Sequence, residues 1–89
     1  MFKELSKYYK ALSEPTRLQI LYYLLNNDKC TCICELQEFI KKDQSVLSRH
    51  MKILEQAKLI KTKKQGKYLI CCLTNKNKTK KILEENKNQ

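Results

Sequence analysis

The sequence predicts a mainly α domain with a two-stranded β-hairpin, a winged helix-turn-helix, and three observations carry that prediction. The first is a helical stretch beginning at Gln44 whose residues divide into a dry back and a polar, basic front. The second is a pair of short strand-like runs directly after it, joined at Gly66, the only glycine. The third is charge: residues 41–81 carry thirteen basic residues against Asp43 and Glu55, a balance of +11, while residues 1–40 balance five against five and residues 82–89 sum to −1. A merely lysine-rich chain has no reason to segregate its charge, whereas phosphate neutralisation and counterion release need it concentrated.

The 89 residues suffice for one domain, 1–89, with a small core, which favours an added stabiliser such as a dimer interface. Phe2, Leu5, Tyr9 and Leu12 recur as one stripe of a first helix that ends near Ala11. Ser13 is the expected cap of a second helix, with Pro15 in its first turn, where a missing N–H does no harm. Leu18, Leu21, Leu24 and Leu25 line its inner side until Asn26, Asn27 and Asp28 break it. A short third helix from about Cys32 to Ile40 buries Ile33, Leu36 and Ile40, and Lys41, Lys42 and Asp43 turn the chain into the fourth.

That fourth helix, about 44–57, is the expected recognition helix. Ser45, Ser48, Arg49, Lys52 and Gln56 share one face at steps of three and four, while Leu47, Met51 and Leu54 share the other, with Val46, Ile53 and Ala57 beside them. Asp43 is the expected N-cap. Such a front can enter the major groove, where Arg or Lys reads guanine and Ser adapts to several base edges. The wing, about 60–73, is read as strands Ile60 to Lys64 and Lys67 to Leu73 around a Gln65-Gly66 turn, since glycine supplies the positive φ of a tight hairpin. Its tip carries Lys63, Lys64 and Lys67, which suit phosphate backbone rather than base edges. The tail, 75–89, is mostly Lys, Asn and Glu, with Ile82 and Leu83 its only large apolar residues, and reads as a weak last helix or frayed chain.

Several function classes drop out. The longest apolar run, Ile20 to Leu25, is too short to span a bilayer and the N-terminus has no apolar leader, so no membrane partner and a cytoplasmic location are expected. No glycine-rich phosphate loop, cleft-forming carboxylate pair or nucleophile with an orienting base can be assembled, so no enzyme and no required cofactor are expected. His50, the only histidine, is read as a packing or locally bonded residue, and the five tyrosines as core or interface aromatics. Five cysteines, an odd count without an export signal, fit a reducing compartment better than a disulfide framework.

With the order of elements in place, four stretches gain meaning together: Ala11-Leu12-Ser13-Glu14-Pro15-Thr16-Arg17-Leu18, Cys32-Ile33-Cys34-Glu35-Leu36, Ser48-Arg49-His50-Met51 and Lys64-Gln65-Gly66-Lys67-Tyr68. Over about residues 2–75 they resemble successive signatures of the ArsR/SmtB family of metalloregulatory repressors. The resemblance implies a homodimer that binds an imperfect palindromic operator in double-stranded DNA and leaves it when a toxic metal or metalloid binds. It implies that Gln44, Ser45, Val46, Ser48, Arg49 and Lys52 face bases and phosphates while Lys63, Lys64 and Lys67 hold backbone. Dimerisation through the first helix and the tail would set two recognition helices about 34 Å apart.

The resemblance also gives Cys30-Thr31-Cys32-Ile33-Cys34 a role. Cys32 and Cys34 fall where arsenic-sensing members carry a Cys-x-Cys pair opening the third helix. The cysteine that commonly completes their three-thiolate site is replaced here by Gln37, and Cys30 is the substitute that would give a soft S₃ site for As(III) or Sb(III). On a regular helix Cys30 and Cys34 share a face and Cys32 points away, so the three converge only if the helix begins late or its first turn opens. Lys29 and the helix N-terminus are expected to lower the cysteine pKa values. The family's Asp/His site on the last helix is absent, because the tail has no histidine. Two alternatives stay open: a thiol redox or sulfur-species switch, with Cys30 and Cys34 within disulfide reach at i, i+4, and a DNA-binding transcription factor without a ligand.

Overall fold

A computed structural model describes residues 1–28 and 30–85. Its order is α1 (Phe2–Ala11), α2 (Pro15–Leu25), β1 (Cys30–Cys32), α3 (Ile33–Ile40), α4 (Gln44–Gln56), β2 (Ile60–Gln65), β3 (Tyr68–Leu73) and α5 (Lys76–Glu85). The winged helix-turn-helix is therefore present, with one addition: the sheet has three antiparallel strands in the order β1-β3-β2, not two.

The core forms where the apolar stripes of the helices meet the inner face of the sheet. Ile20, Leu21 and Leu24 of α2, Ile33 and Leu36 of α3, Leu47, Met51 and Leu54 of α4, and Leu59, Ile60, Cys71 and Leu73 of the wing are all buried. Leu18 and Leu25 are only half-buried, and Ile20 takes the inner position the sequence reading left out. Helix α1 departs further. Its stripe of Phe2, Leu5 and Tyr9 lies exposed, at 78%, 48% and 62%, and Ala11 is the residue it buries.

Local chemistry sets the boundaries. Glu14, not Ser13, occupies the N-cap of α2, its carboxylate accepting from the Arg17 N–H at 3.2 Å. The Ser13 hydroxyl instead donates to the Lys10 carbonyl at 2.7 Å and closes the end of α1. Lys41, at φ 62°, ends α3 in the left-handed conformation common at helix C-termini. Asp43 precedes α4 as expected, in extended backbone with its side chain making no capping bond. The Asn75 side chain accepts from the Lys78 N–H at 3.0 Å and starts α5, so the tail forms a real helix over Lys76–Glu85. Residues 86–89, the end of the tail, lie outside the described residues.

The hairpin is offset by one residue from the sequence reading. Gln65 pairs with Tyr68, leaving Gly66-Lys67 as the two-residue loop, with Gly66 at φ 65° in the first loop position. The register here sets Thr62 and Thr31 either side of Cys71, and Ile60 opposite Leu73, so Leu69, Cys71 and Leu73 of β3 face the core while Ile70 and Cys72 lie on the other face.

Candidate nucleic-acid interface and thiol site

Helix α4 is held by its apolar back, which leaves Gln44, Ser45, Arg49, Lys52 and Gln56 exposed and Val46 and Ser48 half-buried along its front. Between that front and the wing runs an open cleft of about 420 Å³ lined by Ser45, Ser48, Arg49, Met51, Lys52, Glu55, Thr62 and Leu69. Glu55 fixes the cleft's width. Its carboxylate accepts from both the N–H and the hydroxyl of Thr62, at 3.3 and 3.1 Å, and so ties the last turn of α4 to β2. Of the expected DNA-facing residues of α4, Ser45, Ser48, Arg49 and Lys52 line this cleft, two cations and two hydroxyls in reach of a single groove, while Gln44 lines the cavity beside Cys32 and Cys34.

The three wing lysines do not act as one group. Strand alternation puts Lys64 on the face that carries Thr62, towards α4, and Lys63 on the face that carries Lys61. Lys67 sits in the loop with its Nζ 5.8 Å from the Tyr68 ring centre. All three are exposed.

A side chain given no separate role in the sequence reading orients α4. Arg17 of α2 is only 7% exposed, and its guanidinium donates to the Ala11 carbonyl, the Lys10 carbonyl and Nδ1 of His50, each at 3.0 Å. Arginine has no acceptor, so Nδ1 must present its lone pair and the His50 proton resides on Nε2. One buried cation therefore satisfies the open C-terminal carbonyls of α1 and grips the middle of α4. His50 is thus a structural residue, but its partner sits on α2, 33 residues away, and not nearby in sequence; Glu14 lies 3.8 Å from Nδ1, and Arg49 and Lys42 are further charges acting on the ring.

The cysteines separate into three kinds. Cys30 belongs to a strand, not a helix; its position opposite Cys72 across β1 and β3 brings the two sulfurs together as a disulfide. This overturns both the reading of an all-thiol chain and the Cys30–Cys34 pairing, because residues 42 apart in sequence became direct cross-strand partners. Cys71 is buried on the inner face, where loss of hydration pushes its thiol up to about 12 and makes it inert. Cys32 and Cys34 stay free and adjacent: Cys32 is the N-cap of α3, and its sulfur accepts from the Cys34 N–H at 3.3 Å. Helix α3 does begin late, as convergence required, yet the structure gathers two of the three thiols and leaves Cys30 bonded elsewhere. Among the described residues no group of three or more His, Cys, Asp or Glu side chains is placed to hold a metal ion.

The Cys34 thiol is shifted upward, not downward, from its ordinary value. Its hydrogen bond with Cys32 is the chief cause, with burial and the cost of a second nearby negative charge behind it. Lys29, invoked to lower it, lies outside the described residues. Two soft sulfurs side by side are the donor chemistry that a thiophilic ion would take.

Residues 14–62, which run from the α2 cap through α3 and α4 into β2, match the sequence profile of the family described as bacterial regulatory protein, arsR family. The chain belongs to the arsR family. It is 43% identical over 65 residues to the arsenical resistance operon repressor of Staphylococcus xylosus, an alignment covering 73% of this chain and 61% of that protein. Over 65 residues it is 35% identical to an uncharacterised helix-turn-helix regulator of Methanocaldococcus jannaschii, covering 73% and 72%. Among solved structures HlyU of Vibrio cholerae superposes with a TM-score of 0.80 at 28% identity, over 98% of this chain and 95% of that one. Membership in the arsR family makes the chain a DNA-binding transcriptional regulator and not an enzyme. No helix among the described residues is long and apolar enough to cross a membrane.

One consequence for this arsR-family chain is a pH dependence with a definite sign. Burial holds His50 below its ordinary value near 6.5, outweighing the pull of Glu14. The unfolded chain therefore takes up a proton at His50 before the folded chain does as pH falls. Stability from this group is complete above about 6.5 and declines below it, until the folded imidazole protonates against Arg17. Urea midpoints should fall between pH 7.5 and 5.5 in the wild type. The decline should be shallower in His50→Asn, which keeps an acceptor near Nδ1 but does not titrate; equal slopes would exclude His50 as the source.

Proposed function

We propose that the chain is a homodimeric, cytoplasmic transcriptional repressor that holds an imperfect palindromic operator and releases it when As(III), Sb(III) or a similarly soft ion is taken by Cys32 and Cys34. Gln44, Ser45, Val46, Ser48, Arg49 and Lys52 read and position the duplex, and Lys63, Lys64 and Lys67 hold its backbone. The observation that carries this reading is the free thiol pair at the start of α3, eight residues and a short turn before α4. Thiolates drawn together on one ion repack the Cys32 cap, and α3 is packed directly on α4, so the disturbance reaches the DNA-facing helix. Couplings of this kind are typically ~1–3 kcal/mol, or ~5–150-fold in affinity. The exposed Phe2, Leu5 and Tyr9 of α1 supply the apolar surface that a second copy would cover. No bound cofactor is needed for the DNA-bound state, and Cys30 becomes a third thiol only once its bond to Cys72 is reduced.

The Cys30–Cys72 bond favours one second reading: a redox switch that pins β1 to the wing when oxidised. Fluorescence anisotropy on a fragment of the chain's own promoter, at fixed salt, separates the two. Arsenite should release the wild type and leave Cys32→Ser bound. Release by peroxide but not arsenite, lost in Cys72→Ser, would favour the switch. Binding indifferent to both would leave a ligand-independent DNA-binding protein.

A further inference from the structure

The cavity that contains the thiol pair is larger than a three-coordinate ion requires, and its far wall is cationic. Its volume is about 420 Å³, against about 30 Å³ for one water molecule. Its lining comes from Cys32, Ile33, Cys34 and Gln37 of the β1–α3 junction and α3, Gln44 at the start of α4, and Lys64, Lys67 and Tyr68 of the wing. Its polar lining comprises thiols, carboxamides, ammonium groups and a phenol, and no carboxylate among the described residues. A bare ion at the thiols would leave most of this space to water and both ammonium groups without a counter-charge. It would also lack a third sulfur, because Gln37 supplies none and Cys30 is bonded to Cys72.

We infer that the cavity receives the metalloid as a complex with a carboxylate-bearing thiol: Cys32 and Cys34 take the metalloid, one carrier thiolate stays on it as the third sulfur, and the carrier's carboxylate lies between Lys64 and Lys67. This rests on the proposed function and specifies its ligand. Each cysteine thiol displaces one carrier thiolate; one metalloid–sulfur bond forms as another breaks, and the thiol proton passes to the departing carrier. Oxidation states do not change, so no oxidant or reductant is consumed. The carboxylate then occupies the two wing lysines proposed to hold DNA phosphate, and inducer and operator compete for the same cations. Lys63, on the opposite face of β2, stands outside that competition.

The test titrates the full chain with As(III) pre-complexed to 3-mercaptopropionate or to its neutral amide, following the sulfur-to-arsenic absorbance. It is repeated in Cys30→Ser, where excess thiol cannot free Cys30 as a rival ligand. The carboxylate complex should bind about tenfold more tightly, a gain that shrinks with added salt. Lys64→Gln/Lys67→Gln, both exposed positions, should erase the gain while leaving affinity for the amide complex unchanged. Equal affinity for the two complexes, or a gain that survives the lysine substitutions, would overturn the inference and leave the thiol-pair reading standing. Failure of both complexes to bind would overturn this inference and the thiol-pair reading together.

Discussion

Replacing Arg17 by Ala is expected to remove about 2–4 kcal/mol of stability, a large share of the ~5–15 kcal/mol typical of a domain. The guanidinium is nearly buried and makes three bonds at 3.0 Å, to two carbonyls at the end of α1 and to His50 on α4. Without it the Ala11 carbonyl and Nδ1 of His50 lose their donor, while the Lys10 carbonyl keeps the hydroxyl and the backbone N–H of Ser13. Buried acceptors left without donors cost more than the bond they lose. Lysine is no substitute, since one ammonium on a flexible stem cannot reproduce the planar fork that meets three acceptors on two helices. Arg17→Lys should recover less than half of the loss in urea denaturation. Operator affinity should fall in both variants even at temperatures where they are folded, because the pitch of α4 depends on the His50 contact. A loss below about 0.5 kcal/mol would mean that the three bonds are replaced by water and that Arg17 does not orient α4.

The recognition helix was legible because its period is local: Leu47, Met51 and Leu54 recur on one side and Ser45, Ser48, Arg49 and Lys52 on the other whatever the rest of the chain does. Strand β1 was not. Three residues carry no period, and Cys30–Cys32 is a strand only because β3 offers it an edge, with buried Thr31 opposite Cys71. The Cys30–Cys72 bond follows from that pairing and so was equally invisible; spacing within Cys30-Thr31-Cys32-Ile33-Cys34 suggested a partner four residues away in place of one 42 away. Arg17 went unseen for a related reason. A buried arginine looks like a surface arginine in sequence until the carbonyls and the imidazole that receive it are brought together. In α1 the stripe was visible but not its fate, since amphipathicity says that Phe2, Leu5 and Tyr9 share a face and not whether this chain or another covers it.

Neutralising the wing, Lys63, Lys64 and Lys67 all to Gln, should weaken binding to every duplex by a similar factor and flatten its salt dependence. If each ammonium neutralises one phosphate, the log–log slope should decrease by about 2.7, so that raising salt from ~50 to ~200 mM costs the wild type about 40-fold more than the variant. Arg49→Ala should behave differently. Its side chain lies with Ser45, Ser48 and Lys52 in the cleft beside the wing, where base edges are within reach. It should lose ~1–3 kcal/mol on the operator, far less on unrelated DNA, with the slope changed by no more than about one contact. Unchanged slopes in the triple variant would remove the wing from the DNA contact. The single substitutions then test the face split in β2: Lys63 and Lys64 are adjacent in sequence, yet only Lys64 turns towards the cavity of Cys32 and Cys34. Both Lys63→Gln and Lys64→Gln should weaken DNA binding, but only Lys64→Gln should also alter how strongly the bound metalloid complex drives release. Strand alternation would then let Lys63 serve the duplex alone while Lys64 serves duplex and inducer in competition.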